Sequence, residues 1–231
     1  MPADDVPILA VHGVAASPAV WDPLKRLIPQ LRALRRPKTG RLEDEIEWLA
    51  EYAAGAVIVG MSGGATLGLA LAGMGAACHG FVLHEPAAGN LVPDLLSPTA
   101  EAFRRGGTTA VGKALYGRRW SVDLLDDHGD VDATTAKEIA MFRSFQPRRR
   151  PVGGPRCVVT TGSRSAAPRH HVARELRRLG YETRTIEGSR HFVTYEQPAR
   201  LAALVREVAG LDAPGHPGID DGGSGWARFW W

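Results

Sequence analysis

The sequence has little cysteine and no long hydrophobic run. Only 2 of its 231 residues are cysteines, and Cys78 and Cys157 both lie in apolar stretches, so no disulfide framework is expected. A reducing, cytoplasmic location is therefore predicted. The acidic start, Met-Pro-Ala-Asp-Asp-Val, is unlike a signal peptide. No apolar run is long enough to span a bilayer, so no membrane span is expected.

Signatures of nucleotide, metal and nucleic-acid binding are also missing. The sequence contains neither G-x-G-x-x-G nor a P-loop, so no cofactor is predicted. The stretch 126–128 (Asp-Asp-His) lacks helical spacing and a partner cluster, which indicates a solvated turn and no metal site. The formal net charge is only +3. The arginines at 35–36 and 148–150 flank prolines and have no interleaved aromatics, which favours solvated loops and no nucleic-acid partner.

What the sequence does contain is an alternation of buried strands and helices. Short apolar runs bounded by turn residues alternate with segments whose apolar residues recur at helical spacing. Helices of this length between strands imply a parallel sheet with right-handed crossovers. The predicted fold class is therefore α/β. The strands are expected near 7–11, 57–59, 80–84, 156–161 and 182–186, and the main helices near 43–54, 65–74, 169–179 and 197–209.

Two segments interrupt or follow this pattern. Residues 90–150 contain helical stretches and no convincing strand, so we expect a helical insertion in a core made of 1–89 and 151–211. Residues 212–231 begin with proline, glycine and aspartate, a composition that cannot bury enough surface to order itself. That tail ends in Trp226, Phe229, Trp230 and Trp231. These aromatics predict docking on this chain, on a second copy or on another partner, with a homo-oligomer as one outcome. The alternative is a flexible chain end.

The stretch from Gly60 to Gly64 (Gly-Met-Ser-Gly-Gly) lies between a buried strand and an apolar helix. It fits G-x-S-x-G, in which a serine occupies a strained strand-to-helix turn. Side chains two residues before and two residues after the serine would collide in this turn, and glycine at 60 and 64 removes both collisions. The pattern predicts that Ser62 is a nucleophile. The alternative is a tight turn whose serine only caps the helix.

Four motifs in this order resemble those of the α/β-hydrolase family. The likeness covers about 5–90 and 155–210. It implies an α/β-hydrolase fold, a mostly parallel sheet flanked by helices, with 90–150 as a helical lid and the leading strands shortened or missing. The motifs are His12-Gly13 with Trp21 behind it, the serine turn at 60–64, Leu83-His84-Glu85-Pro86, and Gly188-Ser189-Arg190-His191-Phe192.

The resemblance implies catalytic roles for residues of these motifs. Ser62 would attack a carbonyl, and His191 would take its proton and return it to the leaving group. The backbone N–H groups of Val14 and Gly63 would form the oxyanion hole. His12 would only shape the loop that carries Val14.

The acid departs from the usual family pattern. Ser165 stands where an aspartate is expected, and serine cannot stabilise an imidazolium as a carboxylate does. A minority of the family carries the acid at the end of the preceding strand, which here is Glu85. Two alternatives remain open. Glu85 would only hold the lid hinge, or Ser165 or a water would support His191.

The predicted substrate is small and largely apolar. The lid and the serine turn supply Met61, Trp120, Phe142 and Phe145 as candidate substrate contacts, although core packing explains them equally well. The predicted activity is a serine hydrolase for an ester, thioester or related acyl bond. Alternatives are a lyase or carbon–carbon hydrolase of the same fold, or a ligand-binding protein without catalysis.

Overall fold

The computed structural model describes residues 6–125 and 129–211. Six strands form one sheet in the order β2-β1-β3-β4-β5-β6, and each neighbouring pair is parallel. The predicted α/β fold with a mostly parallel sheet is confirmed. The strands are β1 (Ile8–Val11), β2 (Leu31–Leu34), β3 (Val57–Met61), β4 (Gly80–His84), β5 (Arg156–Gly162) and β6 (Glu182–Ile186).

Eight α-helices connect and flank these strands in the described part of the chain. Short 3-10 turns precede or follow some of them, at Pro18–Trp21, Pro93–Leu96, Gly117–Arg119 and Val122–Leu124. The helices are α1 (Asp22–Lys25), α2 (Leu42–Ala53), α3 (Gly63–Met74), α4 (Ser97–Tyr116), α5 (Val131–Ser144), α6 (Ala167–Arg178), α7 (Val193–Glu196) and α8 (Pro198–Ala209).

The alternation of side chains along the strands builds a separate core on each face of the sheet. In β3, Ile58 points into the core that is shared with α2, α3 and α6. Its neighbours Val57 and Val59 point into the core that is shared with α1 and α8. Each such side chain contributes about 1.5–3 kcal/mol when fully buried. The sheet is thus covered on both faces, as parallel sheets require.

Helices α4 and α5 occupy most of the segment between β4 and β5, and no strand lies there among the described residues. Helix α4 breaks at Gly106 and Gly107, and Gly107 has a φ of +59°. Its second half begins at Thr108, whose backbone N–H donates to Asp132 of α5 across 2.8 Å. The Thr108 hydroxyl also contacts that of Thr135, at 2.9 Å. A capping residue from α5 therefore fixes the direction of the second half of α4.

The prediction of a solvated loop at 35–36 is wrong for Arg36, which is only 3% exposed. Its Nη2 lies 2.5 Å from a carboxylate oxygen of Glu45 on α2. Its Nη1 lies 2.7 Å from Glu138 on α5. Two buried carboxylates therefore compensate the buried guanidinium, a pairing that local sequence cannot reveal.

Several predictions fall outside the described residues. These are the acidic start at 1–5, the turn at 126–128 and the tail from 212 with its four terminal aromatics. Among the residues that are described, no helix has the length and hydropathy to cross a membrane. The same residues contain no cluster of three side chains suited to hold a metal ion.

Candidate active site

Ser62 lies in a strained turn between β3 and α3. Its backbone has φ 55° and ψ −120°, a conformation that L residues rarely adopt and that costs about 1–3 kcal/mol. The glycines around it are required by space. A Cβ on Gly60 would lie 2.6 Å from the backbone nitrogen of Ala65, and one on Gly64 would overlap the carbonyl oxygen of Val11. The turn thus exists because both positions lack a side chain.

His191 follows β6 and reaches Glu85, which follows β4. The ring Nδ1 of His191 donates to Oε2 of Glu85 across 2.8 Å. This bond leaves the lone pair on Nε2, and that atom is buried without a hydrogen-bond partner among the described residues. An imidazole in this tautomer, oriented by a carboxylate, presents a proton acceptor at Nε2.

Glu85 is held by groups from β5 and the segment after it. Its φ is +47°, and its backbone N–H donates to Thr160 across 2.9 Å. Its Oε1 accepts from the backbone N–H of Gly162 at 3.0 Å and from the Ser165 hydroxyl. Ser165 therefore contacts the carboxylate and not His191, which leaves Glu85 as the group on the imidazole.

Arg169 of α6 also holds Glu85, and no feature of the sequence singles it out. Its Nη1 donates to the Glu85 carbonyl oxygen across 3.1 Å, and its Nε lies 3.6 Å from Oε2. The Arg169 side chain is 11% exposed. A nearly buried cation beside the acid favours the ionised carboxylate.

The environment sets the charges of this pair. Burial alone would raise the pKa of Glu85, but the hydrogen bond from His191 and the positive charge of Arg169 lower it below its usual range. Burial and the Arg169 charge lower the pKa of His191, against the opposite effect of Glu85. At neutral pH the site therefore holds an ionised Glu85 and a neutral imidazole, the state in which Nε2 accepts a proton.

His84 fixes the loop that carries His191, a role that sequence reasoning missed. Its Nε2 donates to the Arg190 carbonyl oxygen across 2.9 Å, and its Nδ1 accepts from the Thr160 hydroxyl at 2.9 Å. Burial lowers the pKa of His84, which keeps its ring neutral as these two bonds require. The motif Leu83-His84-Glu85-Pro86 was the available signal, because it lies at a strand end.

The loop after β1 passes directly against the nucleophile turn. A Cβ on Gly13 would lie 2.7 Å from the Cβ of Ser62. The Val14 carbonyl accepts from the Tyr116 hydroxyl at 2.7 Å, and the Tyr116 ring stacks on His191 with centroids 5.7 Å apart. Val14 follows Gly13, which packs against Ser62, and Gly63 follows Ser62 itself. The role of Val14 and Gly63 as oxyanion donors stays a prediction.

His12 supports the loop after β1. Its Nδ1 donates to the Gly13 carbonyl oxygen across 3.0 Å, and its ring is fully buried. The Arg36 Nη1 donates to the His12 carbonyl oxygen at 3.3 Å. These contacts agree with the structural role predicted for His12.

The four predicted substrate contacts are buried, and none lines the cavity beside His191. Met61 and Phe142 are fully buried, and Trp120 and Phe145 are at most 6% exposed. Trp120 packs against Gly112 and its Nε1 donates to Ala15 across 2.8 Å. Phe142 lies over the Arg36 guanidinium, 5.4 Å from its ring centroid. These side chains therefore pack in the core, and their role as substrate contacts stays a prediction.

A cavity of about 400 Å³ opens next to His191 and Glu85. One wall comes from α4 and the turn before it, and the other from the loops after β5 and β6. The further lining residues are Leu95, Pro98, Thr99, Ala114, Leu115, Arg164, Ser165, Ala166, Pro168, Arg169 and Arg190. Its size lies within the range of small-molecule sites.

Comparison with known proteins gives one consistent family. A model of the alpha/beta hydrolase family matches residues 8–204. The enol-lactonase from Burkholderia xenovorans LB400 is similar at 18% identity and TM-score 0.69, over 91% of this chain and 94% of that chain. The carboxylesterase CesB from Bacillus subtilis has 19% identity and TM-score 0.58, over 88% and 84%.

A third solved structure is the NocB thioesterase domain in covalent complex with a fluorophosphonate nocardicin G analogue. It is 16% identical, with TM-score 0.63, over 90% of this chain and 95% of that chain. A comparison with curated protein sequences gave no match. At these identities the solved structures establish the shared fold.

Proposed function

This chain belongs to the alpha/beta hydrolase family, and on that premise we propose that it is a serine hydrolase acting on ester or thioester bonds through an acyl-enzyme on Ser62. One observation carries the proposal. The buried Nε2 of His191 has no partner, while Nδ1 of the same ring donates to Glu85. A base oriented in this way is the group that a serine in a strained turn needs for activation.

Each residue then has a step in the reaction. The Ser62 Oγ attacks the carbonyl carbon as Nε2 of His191 takes its proton, and Glu85 stabilises the imidazolium that forms. Backbone N–H groups of Val14 and Gly63 would bind the oxyanion, each donor contributing about 3–4 kcal/mol to barrier lowering. His191 next gives its proton to the departing alcohol or thiol. Water then attacks the acyl carbon as His191 takes its proton, and the Ser62 oxygen leaves as His191 returns that proton to it.

The names of the similar structures support an acyl bond as the target. A carboxylesterase, a thioesterase domain and an enol-lactonase all act on a carbonyl that bears an oxygen or sulfur leaving group. The neutral His191 at physiological pH supports the same chemistry, since it is ready to accept the serine proton.

Covalent labelling of Ser62 tests the proposal. We expect a fluorophosphonate to add one adduct mass to the protein, with the modified peptide containing Ser62. The Ser62→Ala variant should not be labelled and should lose several orders of magnitude in turnover of an activated ester, with an unchanged circular dichroism spectrum. Labelling elsewhere, or a variant that keeps more than about a tenth of the activity, would exclude this nucleophile. A folded protein that is neither labelled nor active would support the non-catalytic alternative.

A further inference from the structure

The cavity beside His191 has two walls of different character. On the α4 side it presents apolar groups, namely Leu95, Pro98, Ala114 and Leu115. On the opposite side it presents three arginines, Arg164, Arg169 and Arg190. Of the described residues, Glu85 is the only acidic one in its lining, and the Glu85 side chain is completely buried.

The three arginines are not equivalent. The Arg169 guanidinium already contacts Glu85. Its Nη1 donates to the Glu85 carbonyl oxygen, and its Nε lies near the Glu85 carboxylate. Arg164 and Arg190 are exposed, and among the described residues neither guanidinium makes a hydrogen bond or ion pair. Two cations at the edge of the cavity are therefore available to a ligand.

The backbone holds these two arginines on adjacent loops. The Arg164 N–H donates to the Ser189 carbonyl oxygen across 2.9 Å, which ties the loop after β5 to the loop after β6. The Arg190 carbonyl oxygen accepts from His84 at 2.9 Å. The Glu196 carboxylate accepts from the Arg190 backbone N–H at 2.5 Å. The backbone of both arginines is thus held by contacts with the loop that carries His191.

We propose that Arg164 and Arg190 bind a carboxylate of the substrate, so that the enzyme prefers acyl compounds that carry a short apolar segment and a negative charge. This inference rests on the proposed function and names its substrate class. Guanidinium groups match a carboxylate in geometry and charge. The apolar wall would contact the hydrocarbon part of the same molecule. This proposed substrate class, with its carboxylate, differs from the largely apolar substrate that the sequence predicts.

Matched pairs of activated esters test the inference. The first pair is mono(4-nitrophenyl) glutarate and 4-nitrophenyl pentanoate, which differ by a carboxylate on the acyl side. The second is 4-acetoxybenzoate and 4-acetoxytoluene, which differ on the leaving-group side. We expect kcat/KM to favour the charged member of at least one pair by about tenfold or more, as a charge-assisted bond of about 1.4 kcal/mol gives. The preference should shrink as ionic strength rises.

Arginine variants identify the residues responsible. Arg164→Gln and Arg190→Gln should each reduce the preference about three- to tenfold through KM, and the double variant should remove it. Arg149→Gln removes an exposed arginine outside the cavity and should leave the preference and the activity unchanged. Equal rates within both pairs, or a preference that survives in the double variant, would overturn the inference while leaving the proposed function intact.

Glutarate binding separates this inference from the catalytic one. If no ester is hydrolysed in a Ser62-dependent way, the proposed function fails. Titration calorimetry of the full chain with glutarate then decides the inference by itself. Saturable binding that is lost in the double variant would support it, and binding equal in both proteins, or absent from both, would overturn it.

Discussion

Replacing Glu85 by glutamine is the sharpest test of the acid. An amide can present either its oxygen or its nitrogen to His191. With the amide oxygen kept at Oε1, where it accepts from Gly162 at 3.0 Å, the NH₂ group faces Nδ1. With the opposite orientation, the NH₂ group faces the Gly162 N–H, and two donors meet. The first orientation is favoured, and it forces the imidazole proton onto Nε2.

The size of the activity loss in Glu85→Gln follows from the tautomer of His191 that carries its proton on Nε2. With Nε2 protonated, His191 cannot take the serine proton, and the corresponding change in a Ser-His-Asp triad lowers kcat about 10,000-fold. We expect a loss of about 1,000- to 10,000-fold for Glu85→Gln. The unfolding free energy should fall by only about 1–3 kcal/mol, because the amide keeps the Gly162 bond but removes the charge beside Arg169.

The assay compares this variant with Ser165→Ala. Initial rates on an activated ester are measured together with thermal unfolding of each protein. Ser165→Ala removes one donor to Oε1 but leaves the bond between Glu85 and His191, so it should lose less than about tenfold. A folded Glu85→Gln protein with more than about a tenth of the activity would refute the reasoning. So would a Ser165→Ala protein that loses as much as Glu85→Gln.

Three further variants test the surroundings of the site. Arg169→Met removes a positive charge that lowers the pKa of His191, so the acid limb of the kcat/KM profile should move to higher pH; a shift to lower pH, or none, contradicts this. Arg36→Met removes the guanidinium that contacts two buried carboxylates and should cost roughly 3–5 kcal/mol in urea unfolding; a change below about 1 kcal/mol would show that the cluster contributes little. Gly64→Ala should cost about 3 kcal/mol or more, because its Cβ would overlap a strand carbonyl. That loss should lower the melting temperature by about 6–12 °C, and an unchanged value would mean that the turn relaxes.

The sheet and the serine turn could be predicted because their signals are local. Apolar runs such as Val57 to Val59 identify buried strands within a few residues. The requirement for glycine at 60 and 64 follows from the turn itself. The contact between Glu85 and His191 spans 106 residues. It was predicted from the resemblance to a minority of the α/β-hydrolase family, supported by the position of each residue after a strand of the same parallel sheet.

The polar partners around the site could not be predicted, because each depends on residues distant in the chain. The bonds of His84 reach residues that lie 76 and 106 positions away. Arg36 and Arg169 resemble ordinary surface arginines in sequence and are distinguished only by their buried carboxylate partners. The predicted substrate contacts stay a prediction, because the structure shows only that these side chains are buried. An aromatic residue such as Trp120 suits a core and a ligand pocket equally, and its packing against Gly112 cannot be seen in the sequence.

The buried Arg36 has a consequence for how a substrate reaches Ser62. It joins α5 through Glu138 to the loop after β1 through the His12 carbonyl oxygen. Swinging α5 away as a hinged flap would separate Glu138 from Arg36, which would keep only Glu45 of α2 as its carboxylate partner, and breaking such a buried ion pair costs roughly 3–5 kcal/mol. An open flap would then be populated less than about once in a hundred molecules. We therefore expect α5 to stay in place during turnover and the substrate to enter from the cavity beside His191.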